Sequence, residues 1–125
     1  MNLEKKMEKL LLDRRQYLAE RPVSEILNSL GRLSGFWMDR KYIFRQKAVR
    51  RLILESKFSE DVAQELLDAL FSELTREKLT RLLKAEIGNP AFLDGFCLSR
   101  TTGHRHFAQG PELITYFFSG YVPNP

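Results

Sequence analysis

The sequence predicts a mainly α-helical protein in which a bundle of four to five helices is followed by a short β segment. Apolar residues recur three, four and seven positions apart from Leu3 to Ile87, which is the period of amphipathic helices. That pattern stops at "GNP", residues 88–90, a typical helix end. Beyond it the chain is rich in glycine, aromatic and β-forming residues. We therefore expect a helical domain at residues 1–90 and a loop with a β-strand at residues 91–125.

Local signals divide the helical part into separate elements. The first helix is predicted over about residues 3–19, and Pro22 ends it and opens the second, since proline is tolerated in a first helical turn. A third helix is predicted from about Lys41 to Glu55. Ser59 in "FSED" is a good N-cap for the fourth. Thr75 either caps a fifth helix or lies within a continuing fourth one.

Each predicted helix carries an apolar stripe that we expect to face the core. Gly31 and Gly35 are expected to allow a neighbouring helix to approach closely. In chain order, the stripes are Leu3, Met7, Leu10, Leu11 and Leu18; Ile26, Leu27, Leu30, Leu33 and Trp37; Ile43, Phe44, Ala48, Leu52 and Ile53; Val62, Leu66, Ala69, Leu70 and Leu74; and Leu79, Leu82, Leu83 and Ile87.

Composition favours one ordinary globular domain of the cytoplasm. The chain has 125 residues, 43% hydrophobic and 29% charged, and no apolar run approaches the roughly 20 residues of a membrane span. Its start, "MNLEKKMEKLLLDRR", alternates charged with apolar residues, unlike a signal peptide. The single cysteine, Cys97, excludes an internal disulfide and a cysteine pair for zinc. We therefore predict no membrane partner.

A basic run with interleaved aromatic residues occupies the predicted third helix. Such a helix could follow the phosphates of a nucleic acid. The fourth helix is acidic and has no base, so pairing of two oppositely charged helices is the favoured explanation. The basic residues are Arg40, Lys41, Arg45, Lys47, Arg50 and Arg51, and the acidic ones are Glu60, Asp61, Glu65, Asp68 and Glu73.

Two candidate reactive or metal-binding features have simpler structural explanations. Cys97 would need a base or a positive environment to act as a nucleophile, and a small buried apolar side chain is the favoured interpretation. His104 and His106 would share one face of a strand. Two ligands without a cysteine or paired carboxylates make a poor metal site, so we predict a surface hairpin and no metal.

An aromatic cluster is expected near the end of the second helix. Trp37, Tyr42 and Phe36 could line a channel for an acyl chain, but aromatic residues at a helix end are more often part of the core. The core is therefore the favoured interpretation.

The predicted strand at residues 113–118, "LITYFF", is apolar on both faces. This pattern is typical of a strand covered on both sides within a larger sheet, and a lone strand would leave its edges unpaired. The upstream helices offer no strands to pair with it. Either a second chain supplies partners, through residues 112–118 of a homo-oligomer, or the natural protein continues past Pro125, which is the favoured expectation.

The sequence around this strand resembles a known enzyme family. "GPELITYFFSGYVP" is similar to the segment of bioluminescence-type bacterial acyl-CoA reductases in which a strand runs into a Gly-Asn-Val-Pro turn. The helices upstream, from Pro22 onward, look like the family's N-terminal helices, and the resemblance extends to Pro123. These fatty acid reductases belong to the aldehyde dehydrogenase-like superfamily. The resemblance thus implies that the terminal strand joins the sheet of an α/β cofactor-binding domain.

The resemblance implies an NADPH-dependent reduction of fatty acyl-CoA, or of an acyl-protein donor, to fatty aldehyde through a cysteine thioester. In the superfamily this turn borders the cofactor pocket, and its asparagine donates to the oxyanion, where a preplaced N–H stabilises the developing charge. Gly120, Val122 and Pro123 match the family's turn, and Tyr121 stands where the asparagine is expected. The family's catalytic cysteine lies downstream, so this chain should have no catalytic residue and bind no NADPH alone.

Two function classes follow from the sequence. The first is an N-terminal part of an acyl-CoA reductase, inactive alone, with Arg100 and Arg105 as candidate substrate contacts near a phosphate-bearing ligand and with a basic third helix that attracts coenzyme A phosphates or an acidic acyl carrier. The second is a small basic helical module that contacts nucleic acid or a protein partner through residues 40–51. The first is favoured, and under it no nucleic-acid partner is expected.

Overall fold

The computed structural model describes residues 2–114 and shows a mainly helical protein, which confirms the predicted fold class. Within these residues there are five α-helices, one 3₁₀ turn and one two-stranded sheet. In chain order they are α1 (Leu3–Tyr17), α2 (Val23–Met38), α3 (Ile43–Ser56), α4 (Glu60–Ser72), α5 (Arg76–Ile87), the 3₁₀ turn (Pro90–Leu93), β1 (Cys97–Leu98) and β2 (Arg105–His106).

The chain divides into two compact units. One comprises residues 1–20 with residues 109–125, and the other comprises Arg21–Ala108. The described part of the first unit contains a groove. One side is lined by Leu10 and Tyr17 of α1 and by Leu18 just after it, and the other by residues 111–114. No residue of α1 is buried.

The helix ends follow the local signals in the sequence. The Ser59 hydroxyl accepts a hydrogen bond from the Val62 amide at 3.3 Å, and the Thr75 hydroxyl accepts one from Lys78 at 3.3 Å. Both are therefore N-caps, and Thr75 begins a separate fifth helix. Gly88 ends α5 with φ of +79°, a backbone conformation that favours glycine.

The start of α2 is capped from far along the chain. Pro22 precedes the helix and makes no side-chain cap. Instead, the Asp94 carboxylate, just after the 3₁₀ turn, accepts a hydrogen bond from the Val23 amide at 2.7 Å. An anionic acceptor at a helix N-terminus satisfies a free N–H and interacts favourably with the helix dipole. This contact fixes the 3₁₀ turn to the beginning of α2.

The core of the unit Arg21–Ala108 lies between α2, α3 and α4. Its buried apolar residues are Val49 on α3 with Ala63, Leu67 and Phe71 on α4. The Trp37 ring stacks on Phe71, with centroids 4.5 Å apart and an interplanar angle of 12°. The prediction that Trp37 belongs to the core is therefore confirmed.

The stripe predicted for the fourth helix was wrong by one position within α4, whereas its last member, Leu74, packs against the core as expected. Ala63, Leu67 and Phe71 face the core, whereas the expected residues Val62, Leu66 and Leu70 are exposed. The apolar arc of α4 is wide enough for either set to face inward. Contacts between α4 and α3 decide which of the two sets faces inward, because Gln64 and Asp68 on α4 both bind Arg45 on α3.

The inner face of α3 also differs from the prediction. Arg45 and Val49 are buried there, and Ala48, Leu52 and Ile53 pack against the core as expected. Ile43 and Phe44, which were predicted to face the core, are exposed. A buried arginine therefore replaces the apolar residue that the pattern called for at the start of this helix.

One of the two glycines of α2 allows a close helix contact. A Cβ atom on Gly31 would lie 3.2 Å from the Cβ of Arg76, at the start of α5. Gly35 has nothing within 4 Å of such a position, so the expected close approach is correct for Gly31 and wrong for Gly35.

The β segment differs in part from the prediction. β1 pairs antiparallel with β2, with Cys97 opposite His106 and Leu98 opposite Arg105. β2 lies within the predicted weaker strand at residues 104–108, whereas β1 was not predicted. Of the predicted strand at residues 113–118, Leu113 and Ile114 are not in a strand, and the others lie outside the described residues. The division into domains at residue 90 stays a prediction.

Candidate functional site

The hairpin at residues 97–106 carries both of the predicted substrate-binding residues. Its turn closes through hydrogen bonds from the Ser99 amide to the His104 carbonyl at 2.8 Å and from the Gly103 amide to the Ser99 carbonyl at 2.9 Å. Gly103 has φ of +71°, which favours glycine at this position. The turn brings Arg100 and Arg105 onto one short element, and both are exposed.

The hairpin is fixed to the 3₁₀ turn on one side. The Ala108 amide donates to the Phe92 carbonyl at 2.8 Å, and the Cys97 Sγ lies 3.5 Å from the Ala91 carbonyl oxygen. The Phe92 ring, which is buried, lies 5.8 Å from the His106 ring. The two arginines are thus presented by a hairpin with a packed base.

Cys97 and the two histidines form no reactive cluster in the part of the chain that the structure describes. Cys97 is half-buried, with its sulfur directed at a backbone carbonyl. His106 Nε2 lies 2.6 Å from the Thr102 hydroxyl, and His104 is exposed. Residues 2–114 contain no group of three or more His, Cys, Asp or Glu side chains able to hold a metal ion. The exposed charged side chains of the hairpin are those of Arg100 and Arg105.

The predicted turn at the cofactor pocket, Gly120 to Pro123 with Tyr121, lies outside the described residues. Its roles stay predictions that rest on the resemblance.

The basic run on α3 divides into an internal and an external set. Arg45 is fully buried and binds the Asp68 carboxylate at 2.7 Å, while Arg40 lies 3.7 Å from the same carboxylate. Lys41, Lys47, Arg50 and Arg51 are exposed. The predicted pairing of the two oppositely charged helices is thus present at Asp68, and five of the six basic residues, Arg40 included, remain at the surface.

The Arg45 side chain uses all its polar groups within the protein. Its guanidinium donates to the Gln64 side-chain oxygen at 2.6 and 3.0 Å, to the Gln64 carbonyl at 3.2 Å and to the Trp37 carbonyl at 2.7 Å. No hydrogen remains for a ligand, so this arginine cannot bind phosphate. Sequence reasoning placed it on the basic surface because the charge pattern does not show which side of the helix is covered.

The aromatic residues at the junction of α2 and α3 form a connected set. The Tyr42 ring lies 5.7 Å from Phe36, 5.8 Å from Trp37 and 5.4 Å from Phe44. Phe36 and Phe44 are exposed, whereas Trp37 and Tyr42 are half-buried. Sequence reasoning predicted three of these four residues as a cluster and placed Phe44 in the core instead.

Comparison with protein families identifies the chain's relationship. The family model described as acyl-CoA reductase (LuxC) matches residues 18–124, and the chain belongs to this family. The match begins directly after α1 and covers the whole unit Arg21–Ala108. No curated protein and no solved structure matches the chain.

Within residues 2–114, no helix has both the length and the apolar character needed to cross a membrane.

Proposed function

We propose that this chain forms the N-terminal helical part of an NADPH-dependent reductase that converts fatty acyl-CoA to fatty aldehyde, and that it is inactive alone. The observation that carries the proposal is the family match over residues 18–124, which includes the turn at residues 120–123. The acyl group would come from coenzyme A or from an acyl-protein, and the catalytic cysteine from sequence that follows the turn.

The proposed roles within the chain are those of binding and support. Gly120, Tyr121, Val122 and Pro123 would form the edge of the cofactor pocket, with Tyr121 in place of the asparagine that donates to the oxyanion. A tyrosine hydroxyl can donate a hydrogen bond, but it reaches farther than a carboxamide. Arg100 and Arg105, exposed on the hairpin, would contact the phosphates of the acyl donor.

The proposal is tested by an activity comparison. NADPH oxidation and aldehyde formation are measured with a long-chain acyl-CoA, first for the 125-residue chain and then for the chain joined to the reading frame that follows it in its genome. We expect activity only in the longer protein. Aldehyde formation by the 125-residue chain, or none by a folded longer protein, would contradict the proposal.

The hairpin arginines are tested in the same longer protein. Replacing Arg100 or Arg105 with glutamine should raise the KM for acyl-CoA about three- to tenfold with little change in kcat, because each would contribute an exposed charge-assisted contact to substrate. Arg32→Gln, an exposed arginine on α2, is the matched control. A fall in kcat without a change in KM would count against the binding role.

A further inference from the structure

Helix α4 has a second apolar face beside the one that packs in the core. Its members are Val62, Leu66 and Leu70, which are 42%, 46% and 56% exposed. They follow one another at intervals of four residues, so they form a continuous stripe along the helix surface. We call these three residues the outer stripe of α4. A helix at the surface of a protein normally presents polar residues away from the core, so this stripe indicates a further contact.

The outer stripe has the geometry of a contact between two helices. From Val62 to Leu70 it runs for about two turns, or roughly 12 Å. Apolar residues four positions apart form the ridge that most often packs into the groove of another helix. Ala69 is exposed beside Leu66 and Leu70, and its small side chain leaves room for a second backbone. The stripe therefore favours a helix over an extended peptide.

Acidic side chains border the outer stripe. Glu65 follows Val62 by three positions and Glu73 follows Leu70 by three, so each lies next to the stripe on the helix surface. Within the described part of the chain, Glu65 forms no salt bridge, and Glu73 belongs to one exposed pair, which is weak. Helix α4 contains four acidic residues and no basic one. The surroundings of the stripe are therefore negative, although the whole chain has a formal net charge of +4.

The negative border decides between possible occupants. Carboxylates repel a nucleic acid and the anionic surface of a membrane. A second copy that docked through its own α4 would place identical carboxylates against each other, and like charges at an interface are unfavourable. A basic helix with one apolar face would instead cover the stripe and neutralise its border.

We propose that the outer stripe of α4 is a docking site for a basic amphipathic helix of another protein. The apolar residues of that helix contact Val62, Leu66 and Leu70, and its lysine or arginine residues meet Glu65 and Glu73. The contact area is small for a protein interface, so the complex is transient, with a Kd of about 10–100 µM. The inference goes beyond the proposed function, because it involves neither the acyl donor nor the nicotinamide cofactor.

The probe that tests this docking site is a synthetic helical peptide of roughly four turns. Leucines three and four positions apart form one face of the peptide, lysines occupy its other positions, and one end carries fluorescein. Its fluorescence anisotropy is measured as the 125-residue chain is added. We expect saturable binding that weakens as the salt concentration rises, because salt screens exposed charges. A peptide with glutamate at every lysine position is the control and should not bind.

Two exposed residues of α4 are then replaced to locate the peptide. Leu70→Gln removes an apolar contact and should weaken binding about five- to tenfold, and Glu65→Gln removes a charge and should weaken it about two- to fourfold. The matched controls lie on α5. They are Leu82→Gln, at a leucine that is 55% exposed, and Glu77→Gln, at an exposed glutamate, and both should leave the affinity unchanged. Circular dichroism checks that each variant keeps its helices.

The proposal is wrong if the leucine–lysine peptide does not bind saturably, if the glutamate peptide binds as tightly, or if Leu82→Gln weakens binding as much as Leu70→Gln. Self-association of the chain that Leu70→Gln abolishes would assign the stripe to a second copy instead. Peptide binding by the 125-residue chain but not by the longer protein would also contradict the proposal, because later sequence would then cover the stripe.

Discussion

Arg45 joins three helices through one side chain. Its guanidinium binds the Trp37 carbonyl at the end of α2 and both Gln64 and Asp68 on α4, while its own backbone belongs to α3. Its exposed fraction is 0%, and no buried side-chain nitrogen or oxygen in residues 2–114 lacks a hydrogen-bond partner. A fully satisfied buried polar group of this kind specifies one arrangement of the helices.

Replacing Arg45 with lysine should therefore be costly even though the charge is kept. An ammonium cannot reproduce the planar, multiply donating geometry, and it would leave buried acceptors on Gln64 without partners. We expect the free energy of unfolding to fall by about 2–4 kcal/mol, measured by urea denaturation. Arg50→Lys, the same change at an exposed position of α3, should stay within about 0.5 kcal/mol of the parent chain. Equal effects of both changes would show that the Arg45 network contributes little.

At the scale of elements, two neighbouring leucines of α4 allow a test of which side of this helix faces the core. Leu66 and Leu67 are adjacent and chemically identical, but they are 46% and 8% exposed. Leu67→Ala removes buried apolar contacts and should lower the free energy of unfolding by about 2–4 kcal/mol. Leu66→Ala should cost less than about 1 kcal/mol, because its side chain is half in water already. If denaturant titrations show a larger loss for Leu66→Ala than for Leu67→Ala, the stripe predicted from the sequence is the one that faces the core.

The end of α3 offers a stabilising change. Lys57 has φ of +54°, a left-handed conformation that is energetically unfavourable for residues with a Cβ atom. Lys57→Gly should raise the free energy of unfolding by about 0.5–1 kcal/mol. Gly88→Ala, the opposite exchange at the positive-φ end of α5, should lower it by about 1 kcal/mol or more. Thermal unfolding followed by circular dichroism measures both, and a melting temperature lowered by Lys57→Gly would contradict the first expectation.

Helix ends were more predictable than helix faces, for a physical reason. Ser59, Thr75 and Gly88 act within a few residues of themselves, so a short stretch of sequence contains the whole cause. The inward direction of α3 and α4 depends instead on Arg45 meeting Asp68, a contact between separate helices. β1 was not predicted because its two residues, Cys97 and Leu98, are too few to show the alternating pattern of a strand.

The candidate sites were also predictable only in part, because the sequence shows which residue types are present but not how the fold brings them together. The basic run and the aromatic cluster were visible as residue types, but their combination into one groove depends on which residues the fold covers. Arg45 is buried and so does not belong to the exposed basic surface. Phe44, which was predicted to face the core, is exposed and lines the same groove as Lys47, Arg50 and Arg51. For the turn at residues 120–123, the sequence resemblance remains the whole basis of the prediction.

At the scale of the whole molecule, the apolar run at residues 113–118 predicts self-association. A segment without polar positions needs partners that cover its apolar side chains, and a second copy of the chain would supply them. We expect the 125-residue chain to form dimers or larger species in light scattering after size exclusion, and a chain shortened to end at Pro111 to be a monomer. A full chain that is monomeric at high concentration, with stability unchanged by the shortening, would contradict this expectation.

The capping of α2 by Asp94 has a topological consequence. Val23, near the beginning of the unit Arg21–Ala108, binds Asp94, and Ala108, at its end, binds Phe92 two residues away. Both ends of the unit are therefore held by the short segment from Phe92 to Asp94. A polypeptide arranged in this way is suited to circular permutation, in which a short linker joins the old ends and new ones open between α3 and α4.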